Sequence, residues 1–281
     1  MTDYSRYLIV TDLDGTFFGK GARLVEANLE AITALKAGGG HITAGTGRIP
    51  TNIRKDIPLC GELFNAPAVT ANGAFIYDLT ADELLHSTPM DAEATLAAAR
   101  LVESLNPRVG MRVSTGSAFL VNRDRINDAI LRDIGDPDTY EGDVLPLSEW
   151  KTEGAKWYKM VFRGEYEELC RIRPVVEETF GDIFEYSMSS VRFFELQKKG
   201  CTKATGLRFV AEHLERKLGH PVVTVAVGDQ ENDLPMLMAA DIAACPANAA
   251  EAVKAACDIH LCHHDEGCIA DLIGRLYVLF S

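Results

Sequence analysis

No stretch of the 281-residue chain is apolar for long. A membrane-spanning helix needs about 20 consecutive apolar residues, so none is expected. The opening residues "MTDYSRYLIV" carry Asp3 and Arg6 and lack the apolar h-region of a secretory leader, so no signal peptide is expected either. Positive charge is scarce: 28 Lys and Arg stand against 41 Asp and Glu, a formal net charge of −13. An acidic chain is a poor match for nucleic acid or an anionic membrane, although it can still hold a local basic pocket. The seven cysteines are odd in number and form no paired framework, which points to reduced thiols and a cytoplasmic setting. Internal repeats and low-complexity tracts are missing. What is present is ordinary for a globular protein: 47% hydrophobic and 25% charged residues, enough for a sizeable core in one large or two smaller domains.

The first third alternates strands and helices. "YLIVT" reads as a short apolar strand, and Arg23 to Lys36 has helical periodicity ended by "AGGG". "HITAG", the helix "IPTNIRKDI" with Pro50 in its first turn, and the strand "PAVTA" follow. This order argues for a parallel sheet with helices on both faces, a doubly wound α/β fold. Between Asn72 and Ser87 the pair "AFIYD" and "ELLHS" reads as a hairpin. Beyond it come a helix over 91–105, strands "GMRVST" and "SAFLVN", a helix near 124–134, a polar loop with Pro137 and Pro146, strand "KWYKMVF", a helix near 165–180 and strand "VRFFELQ". Consecutive strands of this kind suggest an α+β unit. Residues 88–196 are therefore expected to form an inserted domain, with 1–87 and 197–281 making up the α/β domain. In the latter, Leu207, Val210, Ala211, Leu214 and Leu218 share a helical face, and "PVVTVAVGD" is a strand running into Asp229.

In "LIVTDLDGTFF" a buried-looking strand runs straight into Asp12 and Asp14. Aspartate is disfavoured in strands, and two carboxylates at about 4 Å repel by about 4 kcal/mol at an effective dielectric near 20. A positive charge is expected beside them. Open parallel sheets bind ligands beyond the carboxyl ends of their strands. Other segments place reactive residues at such ends: Thr46 and Arg48 in "GTGR", Lys203 in "CTKATG", and Asp229, Asn232 and Asp233 in "VGDQEND".

"DLDGT", "TGR", a single lysine opening a helix and "GDxxND", in this order, resemble the haloacid-dehalogenase superfamily of phosphohydrolases. "ANGA" at 71–74, "PANA" at 246–249 and an insertion between the second and third motifs resemble its Cof-type branch. The resemblance implies a Rossmann-like hydrolase core with an inserted α+β cap that selects the substrate. It implies Asp12 as nucleophile, Asp14 as acid and base on the leaving-group side, Thr46 as a hydroxyl donor to the phosphoryl group and Lys203 as its counter-charge. It implies Mg²⁺ held by the Asp12 carboxylate, the Asp14 backbone carbonyl and Asp229, with Asn232 and Asp233 as direct or outer partners. Gly47, Arg48, Asn72, Gly73 and, in the cap, Lys159 are implied substrate-binding positions. The residue chemistry agrees. A carboxylate can attack phosphorus to give an aspartyl-phosphate that water then hydrolyses. The leaving alkoxide needs a proton that Asp14 can give, and the developing charge needs electrostatic neutralisation. A lysine in the first turn of a helix opposes the macrodipole, which a nearby anion would offset. All four carboxylates, Asp12, Asp14, Asp229 and Asp233, are expected to converge.

Plainer readings exist for several of these residues. Thr46 can cap the following helix, and Asn72-Gly73 is a hairpin-turn pair in its own right. Asn248 is open between a phosphate-facing and a structural role. "HLCHHDEGC", with His260, Cys262, His263, His264 and Cys268, fits no closed zinc spacing well. Arg112, Arg123, Lys156 and Arg192 in the insertion are most simply solvated or salt-bridged. The expected function is a Mg²⁺-dependent phosphatase for small phosphorylated metabolites, sugar phosphates first. A sugar-phosphate mutase or a non-catalytic sugar-phosphate sensor are the alternatives.

Overall fold

The computed structural model describes residues 3–126 and 142–280, with side chains as far as 276. The chain divides into two compact units, 1–87 with 202–281, and 88–201. Strands are numbered along the chain. β1 (Tyr7–Thr11) is buried along its whole length, as its apolar run requires. Alternate side chains serve opposite faces of the sheet. Tyr7 and Ile9 join a core formed with the helices Glu26–Ala37 and Cys268–Phe280. Leu8 and Val10 join another formed with the helices Lys203–Leu218 and Leu234–Ala239. Fully burying such side chains stabilises by roughly 1.5–3 kcal/mol each, so β1 is held from both faces.

β1 pairs in parallel with β2 (His41–Ala44) on one side and β12 (Val223–Val227) on the other. β13 (Ile242–Cys245) and β14 (Ile259–His260) extend the parallel sheet to the order β14-β13-β12-β1-β2. This is the doubly wound architecture that the strand-helix alternation implies. One detail differs. β3 (Ala68–Thr70), expected as a further parallel strand, continues the sheet through the single parallel bridge of Val69 to Gly45. Its full ladder is antiparallel, with β4 (Phe75–Asp78), which pairs in turn with β5 (Glu83–Ser87). The "ANG" turn joins β3 to β4, and Asn72 adopts φ 56° there, in the left-handed region where asparagine is tolerated.

The second unit is a six-stranded sheet, β10-β11-β9-β6-β7-β8, with β6 Gly110–Ser114, β7 Phe119–Asn122, β8 Asp143–Leu145, β9 Lys159–Arg163, β10 Phe184–Ser190 and β11 Phe193–Lys198. All its pairs are antiparallel except β7 with β8. Helices Ala92–Leu105 and Tyr166–Phe180 bury Leu96, Val102, Leu169 and Val176 against Met111, Val113, Met160, Phe162 and Phe194 of the strands. The intervening strand positions carry Arg112, Lys159, Glu195 and Gln197. β8 and β10 have no counterpart in the sequence reading. β8 is three residues long, and β10 is serine-rich, although Phe184, Tyr186 and Met188 keep the period of two. Because β11 runs to Lys198, this unit ends at Cys201 rather than at 196. The helix read near 124–134 and the loop at Pro137 fall largely outside the described residues.

Candidate active site

Asp12 follows β1 directly, and its backbone N–H donates to the Val227 carbonyl at 2.8 Å, tying the start of the loop to the end of β12. Beyond it the chain makes a turn, Leu13–Phe17, closed by Phe17 and Phe18 N–H bonds to the carbonyls of Asp12 and Leu13. Gly15 sits in this turn at φ 82°, and a Cβ there would lie 2.6 Å from Asp229 Oδ2. Only glycine allows both that conformation and that approach. The next residue, Thr16, donates its hydroxyl to Asp229 Oδ1 at 2.9 Å. The "DGT" of the opening motif thus fits the β1 loop against the β12 loop.

Lys203 is the first residue of its helix, behind the N-cap Thr202, and its side chain is fully buried. Its ammonium donates to Asp12 Oδ1 and to Asp233 Oδ1, each at 2.6 Å. The other Asp233 oxygen accepts the backbone N–H of Asp229 at 2.9 Å and of Gln230 at 3.0 Å. Both oxygens of Asp233 are therefore engaged, which makes it a brace between the lysine and the loop that presents Asp229. Carboxylate oxygens of Asp12, Asp229 and Asp233 lie within 4.8 Å of one another.

One lysine faces three buried carboxylates, so negative charge is in excess where burying charge is costly. Burial raises the Asp12 pKa, and Asp233, Asp229 and Asp14 raise it further against the pull of Lys203. Burial, then the charge of Asp233, pushes Asp229 up to about 6. For Lys203 burial alone would lower the pKa, but Asp12 and Asp233 hold it above its ordinary value. An all-oxygen donor set with uncompensated negative charge suits a hard divalent cation such as Mg²⁺.

The Asp14 carboxylate does not join the three. It is 60% exposed and bound by Arg48. Arg48 Nε donates to Oδ2 at 2.7 Å and Nη2 to Oδ1 at 2.6 Å, and the remaining Nη1 meets Asp56. Convergence of four carboxylates is thus corrected to convergence of three. The Asp14 side chain is paired with a guanidinium, although its charge still acts on Asp12.

Thr46, two residues past β2, is buried. Its backbone N–H donates to the Val69 carbonyl, and its hydroxyl oxygen accepts the Arg48 N–H at 3.2 Å. Thr46 does not cap the following helix, whose N-cap is Ile49 without a side-chain cap bond; its hydroxyl oxygen serves a turn at Arg48, and the hydroxyl proton is still there to be donated. Gly47 lies between these two. Asn72 is buried, and its Oδ1 accepts from Asn232 Nδ2 at 3.2 Å, which brings the "ANGA" and "GDQEND" segments together. Its N–H donates to the Thr46 carbonyl. A Cβ on Gly73, at φ 98°, would lie 2.2 Å from the Thr202 carbonyl oxygen, so glycine lets this turn abut the lysine helix. Asn248 donates to the Gly15 carbonyl at 2.7 Å and accepts the His264 N–H at 3.1 Å, bracing the β1 loop. Lys159 lies in the second unit, buried, with Glu195 at 3.0 Å.

Thr16, Gln230 and Asp56 had no role in the sequence reading. Thr16 stood in the quoted motif, but a single sequence offers no sign of a partner 213 positions away. His263, His264 and Asp265 also come close together. They are engaged in building their loop: His264 meets the Phe18 carbonyl, His263 Nδ1 accepts the Asp265 N–H, and Asp265 accepts from Lys20. All seven cysteines are free thiols. Among the described residues no helix is long and apolar enough to cross a membrane.

The family model for haloacid dehalogenase-like hydrolases matches residues 9–273. An HMP-PP phosphatase of Klebsiella pneumoniae is 28% identical over 232 residues, 82% of this chain and 80% of its own length. One from Yersinia enterocolitica is 24% identical over 230 residues, with the same two shares. Among solved structures, a subclass IIB sugar phosphatase of the family superposes with a TM-score of 0.79 at 22% identity, covering 97% of this chain and 99% of its own. A haloacid dehalogenase-like hydrolase from B. subtilis gives 0.80 at 23%, covering 96% and 99%. At such identity the structures speak for the fold.

Proposed function

The chain belongs to the haloacid dehalogenase-like hydrolases, and on that premise we propose that it is a Mg²⁺-dependent phosphatase of small phosphorylated metabolites, sugar phosphates first. The observation that carries this reading is the Lys203 ammonium set between Asp12 and Asp233, with Asp229 completing a buried group that is short of positive charge. Asp12 attacks the phosphoryl group and carries it as an aspartyl-phosphate. Lys203 fixes the orientation of that carboxylate and offsets negative charge on the group in transfer. Thr46 donates its hydroxyl proton to a phosphoryl oxygen. Asp14 gives a proton to the leaving alkoxide and later takes one from the attacking water.

Bound Mg²⁺ would supply the remaining positive charge, held by the carboxylates of Asp12 and Asp229 and the backbone carbonyl of Asp14. Asp233 and Asn232 then support the metal site rather than filling it, in keeping with the bonds both already make. The inserted unit, residues 88–201, selects the substrate. The test is phosphate release from a panel of sugar phosphates, nucleotide phosphates, HMP-PP and an aryl phosphate. Turnover should vanish in EDTA, return with Mg²⁺ and be poorly supported by Ca²⁺, whose longer and more numerous ligands misplace the nucleophile. Full turnover in metal-free buffer defeats the metal assignment, and isomerised sugar phosphate in place of free phosphate defeats the hydrolase in favour of a mutase.

A further inference from the structure

The guanidinium of Arg48 has three sets of contacts. Its fork grips both oxygens of Asp14, at 2.7 and 2.6 Å. Nη1 meets Asp56, the last residue of the helix Pro50–Asp56. Its carbon lies 5.1 Å from the centroid of the Phe18 ring. Asp56 and Phe18 would keep the arm oriented if Asp14 left. A carboxylate held on both oxygens by a guanidinium has its place and orientation fixed by that fork. The arrangement therefore docks on Arg48 the residue to which acid and base chemistry is assigned. The fork that matches a carboxylate also matches a phosphoryl group, and Arg48 leaves the same "TGR" loop as Thr46.

We propose that Arg48 is a shared fork, which holds Asp14 docked in the free enzyme and passes to an oxygen of the incoming phosphate, so that anion binding itself releases Asp14 to transfer protons. The inference rests on the phosphatase reading. It makes Arg48 a positioning residue that links substrate binding to the availability of Asp14. Exchange of one partly exposed pair for another is inexpensive, since such pairs contribute little in water. The handover is therefore easily driven by a dianion.

The test is binding of inorganic phosphate, the product, to the full chain with Mg²⁺, followed by calorimetry. About 1 M KCl shortens the Debye length to about 3 Å and suppresses action at a distance. If the fork is shared, Asp14→Asn frees it and phosphate binds about two- to fivefold tighter. In an Arg48→Met background the same change leaves affinity unaltered. Equal tightening in both backgrounds would show simple repulsion by Asp14 and overturn the proposal. Should Arg48→Met not fold, Arg48→Lys keeps a charge without the fork, and the tightening should shrink there too; undiminished tightening overturns the idea.

Kinetics give a second readout. Losing a shared fork should raise KM alike for a sugar phosphate and an aryl phosphate, since Asp14 is still at hand. A loss confined to kcat for the sugar phosphate would mean that Arg48 aims Asp14 rather than sharing its fork. Turnover without detectable phosphate binding would overturn this inference alone, whereas no turnover of any phosphate ester would sink the phosphatase reading beneath it.

Discussion

Each unit of this protein buries a lysine against carboxylate, and the two burials differ in their balance. Lys159 of the second unit pairs with Glu195 at 3.0 Å, and both side chains are almost wholly buried. Lys203 of the α/β unit pairs with Asp12 and Asp233 at 2.6 Å each, with Asp229 alongside. A pair of matched charges is an ordinary way to close a sheet face. Three carboxylates for one lysine leave negative charge buried without a partner, which is costly, and local rules are broken in this way at functional sites. On the proposed function, counting charge inside each burial separates the two lysines more sharply than noting that charge is buried.

The largest difference should appear in turnover. Lys203→Met removes the counter-charge beside the proposed nucleophile, and hydrolysis of an aryl phosphate should fall roughly 10²–10³-fold or more, the cost of losing one electrostatic stabiliser. Lys159→Met should change the same reaction by only a few fold, about 1 kcal/mol or less. Comparable losses in steady-state assays of the two variants would erase the distinction between the burials.

Stability sharpens it. Either single change strands buried carboxylate and should cost about 3–5 kcal/mol in urea unfolding with EDTA present. In the second unit one charge balances the other: Lys159→Met with Glu195→Leu should recover much of that loss, because apolar substitution of a buried ion pair is often neutral. Lys203→Met with Asp12→Leu should not recover, since Asp229 and Asp233 stay behind without their cation. Equal recovery of both double variants would show that the excess charge in the α/β unit is well solvated.

Acid should act on the two units with opposite sign. Burial and Asp233 raise Asp229 from 3.8 to about 6. A raised carboxylate favours the folded state when protonated, so metal-free protein should gain stability as pH falls from about 6 to 4. The shift corresponds to about 3 kcal/mol as an upper figure. In the second unit, burial works to raise Glu168, but its bonds to Asn106, the Glu165 backbone and Arg108 together hold its pKa below 4.5. Its contribution is present above 4.5 and is lost only as pH falls through that lowered value. Thermal melts of apoprotein between pH 4 and 7 should thus show an acid gain that Asp229→Asn reduces, with Asp12, whose pKa burial also raises, supplying the remainder, and that saturating Mg²⁺ masks. An acid gain undiminished in Asp229→Asn would show that Asp229 has no part in it.

Legibility from sequence follows the same division. The α/β unit was readable because its strands are continuous apolar runs and the residues of the proposed chemistry stand at or near their ends, so "DLDGT", "CTKATG" and "VGDQEND" announce themselves. The direction of side chains past those ends was not readable. Asp14 lies two residues from Asp12, yet a left-handed glycine and a guanidinium 34 positions on decide where its carboxylate goes. Thr16 and Asn248 likewise owe their roles to partners far along the chain. In the second unit β8 is too short to carry a period, and the serines of β10 conceal one. The buried Lys159 and Glu195 sit at alternate strand positions like any solvated pair, and only tertiary packing covers them.

The smallest contrast concerns two helix caps. Asp91 accepts the Ala94 N–H at 2.9 Å at the start of the helix Ala92–Leu105. Thr202 accepts the Thr205 N–H at 3.3 Å, and Thr205 Oγ1 accepts the Thr202 N–H at 3.1 Å, a reciprocal box that opens the helix Lys203–Leu218. Replacing either cap by alanine should cost about 1 kcal/mol of stability, within the usual 0.5–2. The functional outcomes should part. Asp91 caps a helix that carries no group of the proposed chemistry, so Asp91→Ala should leave aryl phosphate turnover as it was. Thr202 is bonded in sequence to Lys203, and its carbonyl is wedged beside Gly73, so the cap sets the angle at which the lysine enters the carboxylate group. Loss of about 1 kcal/mol of that positioning in the transition state would appear as a five- to tenfold fall in kcat, at about 1.36 kcal/mol per tenfold. Thr202→Ser keeps the hydroxyl and should restore both stability and rate. If Thr202→Ala loses stability but keeps its rate, Lys203 is held by Asp12 and Asp233 alone, and the carboxylates rather than the helix start determine where the ammonium stands.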